Sequence, residues 1–135
     1  MSVVAAVVVV AFGLSLIAFT SVAFAKPAIA ERFLRAFASS ARTHYIEQGA
    51  RLVVGAALIV LSPTMWQPTM FWLFGWAIVV SSAVLLCIPW QWHRRLGDRL
   101  QLLPLLVRHL RLYAVGSFAL GVLLLYGIVS GDRAA

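Results

Sequence analysis

Long uncharged stretches dominate this sequence and restrict the folds that are open to it. Val3–Ala25, Leu52–Trp92 and Leu112–Ser130 contain no Lys, Arg, Asp or Glu. A helix needs about 20 apolar residues to cross the hydrocarbon core of a bilayer, which is about 30 Å thick. Hydrophobic residues make up 63% of the chain, against roughly 45–50% in soluble domains. We therefore predict an all-α integral membrane protein.

The longest uncharged stretch contains two spans rather than one. Pro63 and Pro68 lie close together within it, and such a pair predicts a tight turn. With the first and last stretches, this predicts a four-helix membrane bundle in a single domain. The expected division is a first half at 1–62, a turn at 63–68 and a second half at 69–135. We interpret Val3–Ala25 as a retained helix and not a cleaved signal peptide, because no basic residue precedes it.

The basic residues concentrate in the two connections between spans. Ten of the eleven Lys and Arg residues lie in 26–51 and 94–111. Each connection contains an amphipathic pattern, Pro27–Arg42 and Trp92–Val107, with Pro104 expected to break the second near its end. These patterns predict two interfacial helices in the headgroup plane. The positive-inside rule makes both connections cytoplasmic, facing anionic lipid headgroups, with both termini and the turn outside. No nucleic-acid motif accompanies the charge.

The order span, basic amphipathic helix, span occurs twice in the same orientation. Arg51-Leu with Gly55 resembles Arg111-Leu with Gly116 at one residue of slip. This pattern predicts a degenerate parallel duplication. Such repeats occur in transporters, but they also arise by duplication without any transport role.

Glu47 and Arg51 are the charged residues that are hardest to keep out of the membrane. Only Leu52–Ser62 separates Arg51 from the turn, and these residues cover about 17 Å as a helix. The span must therefore begin near Thr43, which draws both charges inward. A Glu four residues before an Arg forms a favourable helical pair, and we expect an intramembrane ion pair that also involves Arg111. The pair is interpreted as mutual neutralisation near the interface, as an interhelical clamp or as a proton- or ion-coupled site.

Small and aromatic residues predict how the spans pack and where they end. Small residues allow two helices to approach closely, whereas Trp marks the membrane interfaces. The predicted helix-packing residues are Gly55, Gly116, Ser117, Gly121 and Gly127. The predicted interfacial anchors are Trp66, Trp72, Trp90 and Trp92. Trp76 lies deeper and is expected to pack against a neighbouring helix.

Chemistry-bearing motifs are scarce. His44, His93 and His109 are expected at similar depth, which makes a di-histidine metal or haem site geometrically feasible. The chain lacks both a second acidic ligand near them and a Cys-x-x-Cys-His motif, so we predict no metal and no cofactor. Catalytic triads, phosphate-binding loops and dinucleotide fingerprints are also missing from the sequence, and we assign no catalytic residue.

These observations favour a non-enzymatic function. We expect a small accessory or scaffold subunit of a bacterial inner membrane, which packs against a larger membrane protein or associates with itself. The first alternative is a small oligomeric transporter or channel that uses Glu47 and Arg51. The second is a membrane enzyme for a lipophilic substrate at the cytoplasmic face. Its expected residues are Arg35, Arg42, His44, Glu47 and Arg108. The sequence assigns no family.

Overall fold

The computed structural model describes residues 2–37 and 39–134 and is helical throughout apart from short connections. The helices are α1 (Val3–Ala25), α2 (Pro27–Phe37), α3 (Ala41–Leu61), α4 (Pro68–Cys87), α5 (Trp90–Arg99), α6 (Leu102–Arg108) and α7 (Leu110–Ala134), with a 3₁₀ turn at Ser62–Thr64. Four segments are long and apolar enough to cross a membrane, namely Val3–Ala25, Ala41–Thr64, Pro68–Cys87 and Leu110–Gly131. The predicted all-helical architecture with four candidate spans is therefore confirmed.

A capping box fixes the start of α3. The Ser40 side chain accepts a hydrogen bond from the Thr43 backbone N–H, and the Thr43 hydroxyl accepts one from the Ser40 backbone N–H. These two bonds satisfy backbone donors that the first helical turn leaves free. Because the candidate span runs from Ala41 to Thr64, Glu47 and Arg51 both lie inside it.

The second basic connection consists of two helices, where the sequence pattern predicted one. The break lies at Gln101, whose φ of 51° is left-handed, and not at Pro104. Pro104 instead occupies the first turn of α6, where its missing N–H leaves no hydrogen bond unmade. The amphipathic period of Trp92–Val107 could not reveal this turn, because a left-handed Gln has no compositional signature.

The spans pack as two antiparallel pairs, α1 with α7 and α3 with α4, and α1 also contacts α3. A glycine crossing lies in each pair. A Cβ atom placed on Gly55 would lie 2.9 Å from the Gly75 carbonyl oxygen, and one on Gly121 would lie 2.7 Å from the Gly13 carbonyl oxygen. Larger residues would hold the backbones apart, so these glycines set the helix separation.

The turn after α3 is tied to the last span. The Trp66 backbone N–H donates to the Gly127 carbonyl oxygen at 2.9 Å, and a Cβ on Gly127 would lie 2.6 Å from Phe71 Cζ. Phe71 and Leu124 are fully buried in the cluster beneath this turn. The contact closes one end of the bundle. The open space between the spans therefore lies at the other end, which carries α2, α5 and α6.

Candidate functional site

Five polar side chains lie along the contact between α3 and α4, and we call them the polar seam: Glu47, Gln48, Arg51, Ser81 and Ser82. The Arg51 Nη2 atom donates to Ser81 Oγ at 3.3 Å, and Arg51 Nη1 lies 3.9 Å from Glu47 Oε1. Arg51 therefore links the acidic residue of its own helix to a hydroxyl of the neighbouring span. The predicted Glu47–Arg51 pair forms, and its interhelical partner is a serine.

Gln48 and Ser82 form the buried part of the polar seam. Their side chains are 1% and 0% exposed, and Gln48 Oε1 and Ser82 Oγ have no hydrogen-bond partner among the described residues. The antiparallel register that sets Gly55 against Gly75 also sets Gln48 opposite Ser82, two helical turns away. Buried polar atoms without partners cost free energy. The seam is therefore a polar line inside an apolar contact.

Two histidines from different helices meet at the open end of the polar seam. His44 is 5% exposed, and its Nε2 has no partner among the described residues. Its ring lies 5.0 Å from the ring of His93 on α5, measured between centroids, with the planes tilted by 40°. This contact attaches α5, which buries no residue of its own, to the span α3.

The imidazole of His93 is held toward its neutral form. Burial is the largest cause that lowers the pKa of His93 below its ordinary value, and the neighbouring His44 lowers it further. Glu47 acts in the opposite direction, while Arg51 again lowers the pKa. A proton on His93 would add a positive charge beside a second imidazole and a guanidinium, so the packed arrangement favours the neutral form of His93.

Acidification is therefore expected to loosen α5. Because the folded-state pKa of His93 lies below the unfolded value, the unfolded form takes the proton first, and stability is lost as the pH falls through about 6.5. The protection factors of the α5 amides, which are corrected for the pH dependence of intrinsic exchange, should fall between pH 7.5 and pH 5.5. In a His93→Gln variant the protection factors of the same amides should change little over this range. An equal fall in both proteins would show that His93 does not control the attachment of α5.

A cleft of about 380 Å³ opens beside the two histidines, and we call it the basic-side cleft. Its apolar wall includes Leu34 of α2 and Leu103 and Leu106 of α6. His93, Arg94 and Glu47 form part of its polar rim. The cleft thus combines an apolar surface with ionisable groups, which is the usual composition of a small-molecule site.

Arg111 lies apart from the Glu47–Arg51 pair. It lines a separate cleft of about 330 Å³ with Arg108, His109 and Glu31, and the described part of the chain gives it no ion pair. Glu31 instead pairs with Arg35 at 2.8 Å, one turn along α2. The structure therefore brings two of the three predicted intramembrane charges together and separates the third.

The predicted packing residues fall on different faces. Gly55, Gly121 and Gly127 lie at close contacts, and Ser117 is buried at 8% exposed. Gly116 has open space where its Cβ would lie. The four tryptophans predicted as interfacial anchors lie at or near the ends of candidate spans: Trp66 and Trp72 near the turn, and Trp90 and Trp92 at the start of α5. The Arg94 guanidinium lies 5.9 Å from the Trp90 ring centroid.

Sequence reasoning missed Gln48, Ser81 and Ser82, and it did not specify which two histidines meet. The signal that could have found the serines is their adjacency within an otherwise apolar span. Gln48 is uncharged and lies beside Glu47, so its sequence position gave no separate signal. The similar depth expected for the three histidines made a paired arrangement feasible, but which two of them meet depends on where α5 folds back.

Neither a search for metal-binding groups nor comparison with known proteins assigns a function to the chain. Within residues 2–37 and 39–134, no group of three or more His, Cys, Asp and Glu side chains is arranged to hold a metal ion. Neither a protein-family model, nor a curated protein, nor a solved structure matches this chain.

Proposed function

We propose that this chain is a non-catalytic accessory or scaffold subunit of a larger assembly in a bacterial inner membrane. The observation that carries the proposal is the outer face of α4. Only Phe71, Gly75 and Ser82 of this span are buried, and within the chain the span packs chiefly against α3. The opposite face, with Trp72, Trp76 and Cys87, is exposed.

Trp76 makes this face unusual as a lipid-facing surface. It lies eight residues into α4, which places it about 12 Å along the helix and inside a hydrocarbon core of about 30 Å. Its side chain is 43% exposed, and its indole N–H has no hydrogen-bond partner within the described residues. Lipid tails offer no acceptor, whereas Trp prefers the interface. A neighbouring transmembrane helix would supply both packing and an acceptor.

Charge favours a different protein as the occupant of this face over a second copy. α5 follows directly after α4 and carries Arg94, Arg95 and Arg99 against a single acid, Asp98. Two copies joined along α4 would bring these arginines together, and like charges at close range repel. A partner whose membrane-proximal segment is neutral or acidic would avoid this repulsion.

The proposed orientation keeps both basic connections in the cytoplasm and both termini outside. Its support is the concentration of ten of the eleven Lys and Arg residues in these connections. In this orientation α2, α5 and α6 lie at the cytoplasmic interface, where their arginines meet anionic headgroups.

We also retain the proposal of a parallel duplication, with a changed register. In α1 and α7, Thr20 donates to the Ala114 carbonyl oxygen at 2.7 Å, two turns from the Gly13–Gly121 crossing. In α4 and α3, Ser82 and Gln48 occupy the same offsets from the Gly75–Gly55 crossing. This correspondence supports Gly55 and Gly121 as equivalents in place of Gly55 and Gly116. It also makes the polar seam the part of the α3–α4 pair that differs most from the α1–α7 pair.

The single cysteine permits a direct test of the α4 face. Cys87 lies eleven residues after Trp76, which is the same face of a helix. A maleimide with a photoreactive group, attached to Cys87 in native membranes, is expected to give one discrete adduct with a heavier membrane protein. Trp76→Ala should reduce its yield at least fivefold. Met70→Ala should not, because Met70 is 39% exposed and lies about 120° around α4 from Trp76.

A second control moves the probe to another span. In a Cys87→Ala, Val115→Cys protein the probe lies on the exposed face of α7, where Val115 is 54% exposed, and no such adduct is expected. An adduct of twice the chain mass would indicate a homodimer and would contradict the heteromeric assembly. A yield that is independent of Trp76, or equal from position 115, would contradict the proposed face.

The polar seam favours a small transporter or channel as the second candidate function. A line of polar groups through a span contact is a feature of proton and ion pathways. In liposomes with a pH gradient, proton flux that Glu47→Gln abolishes would replace the accessory role with transport. Absence of flux in the unmodified protein, under a gradient and under an imposed potential, would remove this candidate.

A further inference from the structure

We propose that the basic-side cleft binds one phospholipid with an anionic headgroup, with an acyl chain on its leucine wall and the phosphate on its polar rim. Trp76 does not line this cleft, and the proposal does not depend on the accessory-subunit role. Four structural observations carry it.

The wall of the cleft suits an acyl chain. Leu34, Leu102, Leu103 and Leu106 line it together with the rings of Trp90 and Tyr113. These residues come from α2, α5, α6 and α7, so the apolar surface is assembled by the helices at the basic end of the bundle. α6 contributes three of the leucines although none of its own residues is buried. A surface of this kind loses unfavourable contact with water when a hydrocarbon chain covers it.

The rim of the cleft suits a phosphate. Arg94 lines it and can donate several N–H groups to phosphate oxygens, a geometry for which guanidinium is well adapted. His93 lies one residue earlier and is partly exposed at the mouth. Arg95 and Arg99 are exposed on the same helix and add positive potential without lining the cleft.

The charges of the two acids at the rim are offset or screened. Glu47 lies 3.9 Å from Arg51, which offsets its charge from the side of the span. Asp98 lies one turn after Arg94 on α5 and is exposed to solvent. The side chain of Arg94 therefore remains the cation that faces the apolar wall.

A buried polar group points to a ligand in the same place. His44 lines the cleft and is 5% exposed, yet its Nε2 has no partner among the described residues. Buried polar nitrogen atoms of this kind are normally hydrogen-bonded. A small movement of the His93 ring, which lies against His44, would bring a headgroup oxygen within reach of both imidazoles.

The position of the cleft favours lipid over a soluble anion. It opens between the interfacial helices and the ends of α3 and α7, both of which are candidate spans. An amphiphile from the adjacent leaflet can enter without leaving the bilayer. Free inorganic phosphate would occupy the rim but leave the leucine wall uncovered.

Native mass spectrometry of the purified full chain in a non-ionic detergent tests the proposal. The probes are phosphatidylglycerol and phosphatidylcholine with identical acyl chains. We expect one phosphatidylglycerol molecule per chain, bound at least tenfold more tightly than phosphatidylcholine. Arg94→Gln should weaken phosphatidylglycerol binding about tenfold, the effect of losing one charge-assisted hydrogen bond. Arg95→Gln makes the same change of charge outside the cleft and should weaken binding by less than about twofold.

A further variant and a competitor test the two parts of the site. Leu106→Gln should weaken binding of the lipid, because it places an amide in the acyl-chain wall. Inorganic phosphate at ~10 mM should displace little of the bound lipid. This phosphate concentration is far above the lipid concentration at which tight binding saturates. Equal binding of the two lipids, equal effects of Arg94→Gln and Arg95→Gln, or full displacement by phosphate would each overturn the proposal. Circular dichroism of every variant establishes that it is folded.

Discussion

Replacing Gly55 by Ala is expected to lower the free energy of unfolding by about 2 kcal/mol, the cost of overpacking a tight contact. The added Cβ would lie 2.9 Å from the Gly75 carbonyl oxygen and 2.8 Å from Val79 Cγ2. A backbone oxygen cannot rotate away, so α3 and α4 must separate, and the hydrogen bond between Arg51 and Ser81 across the same contact weakens with them. Unfolding by SDS titration, followed by circular dichroism, measures the change.

Gly116 provides a matched control within the same protein. It also lies in a candidate span, but a Cβ there meets nothing within 4 Å. Ala has a higher helix propensity than Gly by about 0.5–1 kcal/mol, so Gly116→Ala should leave stability unchanged or raise it. The same substitution is thus expected to act with opposite signs at the two sites. Destabilisation by both variants to a similar extent would contradict the close approach of α3 and α4.

Neutralising Glu47 is expected to have the second largest effect. Arg51 lies eleven residues before Ser62, about 17 Å along the helix, which places its charge deep in the candidate span. With Glu47→Gln, only Ser81 remains as a polar partner, and we expect a loss of about 2 kcal/mol, somewhat below the cost of a charge at the membrane centre. Replacing both residues by Gln should recover most of that loss, because no charge then remains unpaired.

A double-mutant cycle over these variants measures the coupling, expected at about 1–2 kcal/mol. Glu31 and Arg35 on α2 supply the control, because they have the same spacing and similar side-chain exposure. Arg35 and Glu31 are 53% and 37% exposed. Arg51 and Glu47 are 40% and 36% exposed. α2 lies outside the candidate spans, so its coupling should stay below about 0.5 kcal/mol. Additivity at Glu47 and Arg51 would mean that both side chains reach water independently.

The polar seam shows why part of the site could be anticipated and part could not. The Glu47–Arg51 pair follows from local geometry, because residues four apart on a helix are neighbours in any tertiary structure. Ser81 lies 30 residues after Arg51 in the chain, with Ser82 next to it, and only the antiparallel register of α3 and α4 brings these serines to Arg51 and Gln48. Arg111 shows the limit of sequence likeness: its surrounding sequence resembles that of Arg51, yet the fold does not bring it near Glu47.

The helices at the basic end depended on tertiary structure in the same way. Their amphipathic patterns identify helical segments, but a pattern does not state where a helix turns back on the bundle. The left-handed conformation at Gln101 decides that α5 and α6 are separate. That turn, together with the contact between His44 and His93, creates the basic-side cleft.

The sequence by itself determined that this chain is helical, that four of its segments can cross a membrane and that its positive charge lies between them. These properties follow from the length of apolar stretches and the position of charges, and both act locally along the chain. The tertiary structure alone decided which spans pair, which glycines lie at their crossings and which polar side chains face one another. Those outcomes depend on helix register, where a shift of one residue rotates every side chain by about 100°.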